Sequence, residues 1–119
     1  APAPSTPLST GFRALDLALE AAALVIATCQ RVRGPLRPLA DQALRAATSV
    51  PLNLTEGNGR AGGDRLYHFR VAYGSAREAT AAIGLLAASR SIPQADAAKA
   101  LDLLDQVQAL TWRLTHPRT

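Results

Sequence analysis

Apolar residues recur along most of this chain at intervals of three and four, the repeat of a helix with one face turned away from water. In the first segment, 11–33, Phe12, Leu15, Leu19, Ala22, Ile26 and Cys29 form one stripe, and Ala14, Leu17, Ala18, Ala21, Leu24 and Val25 form a second. One core needs only one face. The second stripe is therefore expected to meet another chain, with Leu17, Ala21, Leu24 and Val25 as candidate oligomer contacts. The second segment, 38–57, continues a phase set by Leu36, Ala40, Ala43, Ala47, Val50 and Leu54. The third, 64–91, carries Leu66, Phe69, Tyr73, Ala76, Thr80, Ile83 and Ala87. The fourth, 93–115, carries Ala100, Leu103, Val107, Leu110 and Leu114.

Breakers separate these segments. Gly34-Pro35 ends the first, the glycines from Gly57 to Gly63 divide the second from the third, and Pro93 opens the fourth. Ser9 or Thr10 is expected to cap the first helix and Asp64 the third. Pro51 falls inside the second helix, and because the apolar phase continues across it, a kink is expected rather than a break. Gly74 lies in mid-helix, where close approach by a neighbouring backbone would offset its cost of about 1 kcal/mol relative to alanine. Four helices joined by short loops predict an all-α fold, an antiparallel up-down-up-down four-helix bundle spanning 10–116.

Composition narrows the chemistry. Cys29 is alone, so no internal disulfide can form, and within an apolar run it is expected to be a buried, inert thiol. A reducing, cytoplasmic setting follows as the expectation. No run reaches the roughly 20 apolar residues of a membrane span, so no membrane role is expected. Residues 1–9 lack the basic start and apolar stretch of a signal peptide and are expected to form a flexible Pro-rich arm. Catalytic templates fail in turn. Glu20, Glu56 and Glu78 have no histidine three residues on, His68 and His116 are isolated, and no phosphate-binding loop or nucleophile elbow occurs. No enzyme, metal or cofactor is expected.

The charge is more informative. The chain has 119 residues and a formal net charge of +4. Twelve of its basic residues are arginine, Lys99 being the exception, and the excess lies before residue 91. Around the second and third helices Asn53, Glu56, Arg60, Arg65, Arg70, Arg77 and Glu78 form a polar cluster, while Arg31, Arg33, Arg37 and Arg45 surround the first turn. Two readings stand side by side. Asn53 and Glu56 tie the corner by hydrogen bonds and the arginines are a solvated face, or Arg60, Arg65, Arg70 and Arg77, with Arg37 and Arg45, meet a nucleic-acid backbone.

Two stretches in this region also carry a resemblance. Ser49-Val50-Pro51-Leu52-Asn53-Leu54-Thr55-Glu56-Gly57-Asn58-Gly59-Arg60 resembles the pattern S-(I/V)-P-x-N-(I/L)-x-E-G-x-G-R of the four-helix-bundle intervening-sequence proteins, often encoded in insertions within bacterial 23S ribosomal RNA genes. The stretch from Phe69 to Glu78 is similar to that family's second pattern, F-x-x-x-x-G-S-x-x-E. The resemblance covers about residues 10–115, and it marks Pro51, Asn53, Glu56, Gly57, Gly74, Ser75 and Glu78 as motif positions. The first helix departs from it in being richer in alanine. The resemblance implies a bundle with a proline-kinked second helix, assembled as a homopentamer with a basic surface. It also implies kinship with accessory proteins of diversity-generating retroelements, which partner a reverse transcriptase. Five copies would carry about +20, five times the single-chain charge. The expected function is thus a non-enzymatic, homo-oligomeric protein that binds RNA or DNA or acts as an accessory. The alternative is a structural or scaffolding oligomer that binds a protein partner and has no nucleic-acid role.

Overall fold

The computed structural model describes residues 9–118, so the expected arm lies outside the described residues except for Ser9. Four helices follow in order: α1 (Arg13–Cys29), α2 (Arg37–Asn58), α3 (Gly62–Ala88) and α4 (Gln94–Thr115), with a short 3-10 turn at Gly34–Leu36 before α2. Each helix packs on two others in the cycle α1, α2, α3, α4 and back to α1, and the α2–α3 contact is the most extensive. Directions alternate. Ser49 pairs with Ser75 and Asn53 with His68, so α2 and α3 run opposite ways. Gln94 reaches Ala87 and Gln108 reaches Thr80, so α3 and α4 do too. Phe12, before α1, packs with its ring tilted against that of Phe69 near the start of α3, which places both beginnings at one end of the bundle.

Small residues explain the close α2–α3 contact. Ala40, Ala43, Ala46 and Ala47 on α2 and Ala72, Ala76, Ala79 and Ala82 on α3 are all buried. Alanine lets helix axes approach, and Leu54, Ile83, Leu86 and Leu104 fill the space that remains. Pro51 is buried within an unbroken α2, so it interrupts one backbone hydrogen bond without ending the helix. Cys29 is fully buried, and burial pushes its thiol pKa up, which keeps it protonated and unreactive.

Several expectations need correction. The two stripes of α1 are not two opposed faces. At 100° per residue they lie about 120° apart and form adjacent halves of one wide arc, because α1 packs on both α2 and α4. Leu17, Ala21 and Val25, the proposed oligomer contacts, are therefore buried inside the monomer, and Leu24 is half-buried against the same core. What faces solvent is the other edge of the arc, where Leu19 is 37% and Ile26 42% exposed. Helix α1 stops at Cys29 rather than residue 33; the chain turns there, with the Val32 amide on the Cys29 carbonyl and Gly34 at φ 77°, and Arg37 donates to the carbonyls so freed. Neither Ser9 nor Thr10 caps α1; Phe12 holds that position, and the Thr10 hydroxyl instead accepts the Phe12 N–H and donates to Asp16. Helix α3 begins at Gly62, so Asp64 sits in its first turn rather than capping it. It ends at Ala88, not 91, where Arg90 takes φ 58° and the amides of Arg90 and Ser91 bond back to Ala87 and Leu86. Gly74 has no atom within 4 Å of where a Cβ would stand, so no backbone approaches it.

Candidate functional site

The motif residues meet along the seam between α2 and α3. Ser49 and Asn53 are one turn apart on α2, and His68 and Ser75 are two turns apart on α3, so each pair shares a face. Asn53 donates from Nδ2 to the Ser49 carbonyl at 2.9 Å and to Ser49 Oγ at 3.0 Å. Ser75 Oγ donates to the same Ser49 Oγ at 2.9 Å. Asn53 Oδ1 lies 3.0 Å from His68 Nδ1. Because the amide nitrogen is committed to Ser49, Oδ1 must accept, which puts a hydrogen on His68 Nδ1. His68 Nε2 faces Asp64 Oδ1 at 4.0 Å, beyond hydrogen-bond reach. The result is a polar chain from α3 to α2 and back, with every buried side-chain polar atom among the described residues partnered.

The seam closes at Gly57. A Cβ there would stand 2.8 Å from the Phe69 ring and 3.1 Å from His68 Cβ, so only glycine lets α3 pass. Glu56 reaches α3 indirectly. Arg60 donates to Glu56 at 2.6 Å and to Asp64 at 3.0 Å, bridging the corner. The guanidinium of Arg60 holds the Glu56 carboxyl below its ordinary pKa, and Arg60 is itself raised by the same bond. Glu78 is exposed and makes no ion pair among the described residues.

The six candidate arginines divide. Arg37 forms a fork on Asp41 at 2.6 and 2.9 Å and also donates to the carbonyls of Cys29, Gln30 and Val32, stapling the α1–α2 turn. Arg60 is occupied as above. Arg65 lies 4.7 Å over the Phe69 ring and donates to the Gly57 and Asn58 carbonyls at the end of α2. These three act inside the fold. Arg45, Arg70 and Arg77 are exposed and make no ion pair among the described residues. Arg77 rests 5.8 Å over Tyr73. Arg70 and Arg77 stand two turns apart on the outer face of α3. Arg45 lies on α2 one turn from Ser49 and is exposed, whereas Ser75, which meets Ser49, is about 200° around α3 from Arg77, so Arg45 is not brought onto the Arg70–Arg77 face.

Sequence reasoning missed His68, taken as isolated, and the exposed stack of Trp112 on His116, whose rings are 4.1 Å apart. The spacing of Ser49 with Asn53 and of His68 with Ser75 marks two polar faces. Nothing in the sequence sets the register that brings them together. At one end of the bundle, the start of α3 and the end of α4 enclose an open cavity of about 360 Å³, walled by residues from 62–69 and 113–117. Among the described residues no three His, Cys, Asp or Glu side chains are placed to hold a metal ion, and no helix is long and apolar enough to cross a membrane.

Comparison with known proteins gives a family and a fold. The family model described as 23S rRNA-intervening sequence protein matches residues 13–113. A crystal structure from Bacteroides thetaiotaomicron, described as a protein with unknown function from the S23 ribosomal protein family, superposes with a TM-score of 0.76 at 18% identity. That match covers 87% of this chain and 99% of the other, and it supports the fold alone. No curated protein matches the chain.

Proposed function

The chain belongs to the 23S rRNA-intervening sequence protein family, and we propose that it is a non-enzymatic homo-oligomer, pentameric as the family resemblance implies, that binds RNA or DNA. The observation behind this reading is the pair Arg70 and Arg77 on one face of α3, exposed and without ion-pair partners among the described residues. Unneutralised guanidinium groups spaced along one face suit the repeating charge of a phosphate backbone. Arg37, Arg60 and Arg65 are assigned to the fold instead. Oligomer contacts fall to exposed apolar positions, Leu19 and Ile26 on α1 and Leu85 on α3. A reverse transcriptase or another protein remains the alternative partner, served by those same apolar positions.

Fluorescence anisotropy with labelled single-stranded RNA and DNA over a salt series tests this, with oligomer mass measured on the same sample. Binding that weakens with salt at a slope of about −0.7 per phosphate neutralised is expected. The double variant Arg70→Glu, Arg77→Glu should lose it with the melting curve unchanged. Unaltered binding by that variant, or none by the parent at low salt, would overturn the assignment and direct the search to protein partners.

A further inference from the structure

The cavity at the end of the bundle adjoins the N-terminal end of the α3 face that carries Arg70 and Arg77, and it plays no part in the function just proposed. Its wall is apolar, made by Leu66 and Phe69 from α3 and by Leu114 and Pro117 from the end of α4. Two guanidinium-bearing residues line it, Arg65 and Arg113, and no carboxylate does. Arg65 is held in place by the Phe69 ring and by two carbonyls at the end of α2. Those weak 3.4 Å bonds leave most of its five donors available. Arg113 makes no ion pair among the described residues. The nearest acid in sequence, Asp64, is bonded to Arg60. The volume, about 360 Å³, falls in the range of small-molecule sites.

We infer that this cavity is a binding site for a small amphipathic anion, an apolar body of about the size of one aromatic ring bearing a terminal carboxylate or phosphate. The apolar wall takes the body out of water, and the Arg65 and Arg113 forks close on the anionic end, where charge-assisted hydrogen bonds are strongest. Neither half suffices alone. Arginine without the wall would bind any anion, and the wall without arginine would bind any small hydrocarbon.

The test is an amide-resolved NMR titration of the full chain with phenyl phosphate and, separately, 3-phenylpropionate, with inorganic phosphate as the charge-only control. Shifts should concentrate at Gly62, Leu66 and Leu114, and the tighter of the two probes identifies the preferred anion. Arg113→Ala should weaken binding by about tenfold or more with the melting curve retained. Leu114→Trp, which fills the cavity, should abolish it. Arg77→Glu alone, three turns along α3 from Leu66, should leave it unchanged, so this site and the nucleic-acid face fail or stand separately. The inference is overturned if neither probe shifts these amides at millimolar concentration, if shifts spread instead along Arg70 and Arg77, or if inorganic phosphate binds as well as phenyl phosphate.

Discussion

The arginines at the helix corners and those on the outer face of α3 are chemically identical and close in sequence, yet they do different work. At the corners, Arg37, Arg60 and Arg65 find the last carbonyls of the preceding helix or a carboxylate one turn away. Helix ends leave several carbonyls without partners, and a guanidinium within reach satisfies them. In mid-helix on the outward arc, Arg70 and Arg77 meet no such acceptor among the described residues. Position relative to a helix end, rather than composition, therefore separates the arginines that staple one helix to the next from those left bare on the outer face of α3.

The sharpest contrast between the two regions concerns their glycines. Gly57 belongs to the corner and Gly74 to the outer face, and both are motif positions. Gly57→Val should cost roughly 3 kcal/mol, at the upper end of overpacking penalties, because the added carbons enter the Phe69 ring and His68. Gly74→Ala should instead stabilise by about 0.5–1 kcal/mol, since it improves helix propensity where nothing stands within 4 Å. Urea unfolding of both variants reads the difference directly. If Gly74→Ala proved neutral for stability yet broke the oligomer, the outer face would be an assembly surface and the comparison would need redrawing.

The arginines themselves come next in size. Arg37→Ala removes a fork on Asp41 and uncaps the end of α1, so a loss of about 2 kcal/mol is expected, in the range of hydrogen bonds to charged groups. Arg70→Ala should stay within about 0.5 kcal/mol of the parent. Equal losses from the two would show that Arg70 has an internal partner, and its assignment to a ligand-binding face would fall.

Much of this architecture was legible in the sequence, for identifiable reasons. The phases of α2 and α4 were readable because glycine and proline punctuate them cleanly and because each carries one dominant stripe, whereas in α3 the stripe is turned about 60° from the buried face, which takes in Ala72, Ala79 and Leu86 and leaves Leu66, Tyr73 and Thr80 half-buried. Helix α1 misled because two neighbouring packing partners require an apolar arc so wide that it reads as two faces. That is why Leu17, Ala21 and Val25 were assigned to a second chain, although they lie in the core. The seam was half legible. The motif singled out Asn53, Gly57 and Ser75, but the pairings of Asn53 with His68 and of Ser49 with Ser75 depend on how far α3 slides along α2. That register is set by alanine packing and by the Gly57 contact, and neither is a local property of the chain. The cavity joins segments far apart in sequence and left no signal at all.

The smallest expected effect is also the one that isolates the corner from everything else. Arg60 lowers the Glu56 carboxyl pKa below its ordinary 4.5 through a direct hydrogen bond and its charge. A carboxylate whose folded pKa is depressed stabilises the fold fully above its unfolded value, and loses that contribution as pH falls through the folded value. The window therefore opens just below pH 4.5 and extends downward. Glu56 and Arg60 have side chains 50% and 49% exposed, so water screens the pair and the effect should be slight. Comparing the parent with Glu56→Gln exposes it by difference. The parent's small advantage in melting temperature at neutral pH should shrink as pH drops from 5 towards 3, and raised salt should shrink it at any pH. An advantage that persisted undiminished at the acid end would mean that Glu56 acts through packing or a neutral hydrogen bond. The corner would then be held by the Asn53–His68 chain and the Gly57 contact, with its ion pair contributing nothing measurable.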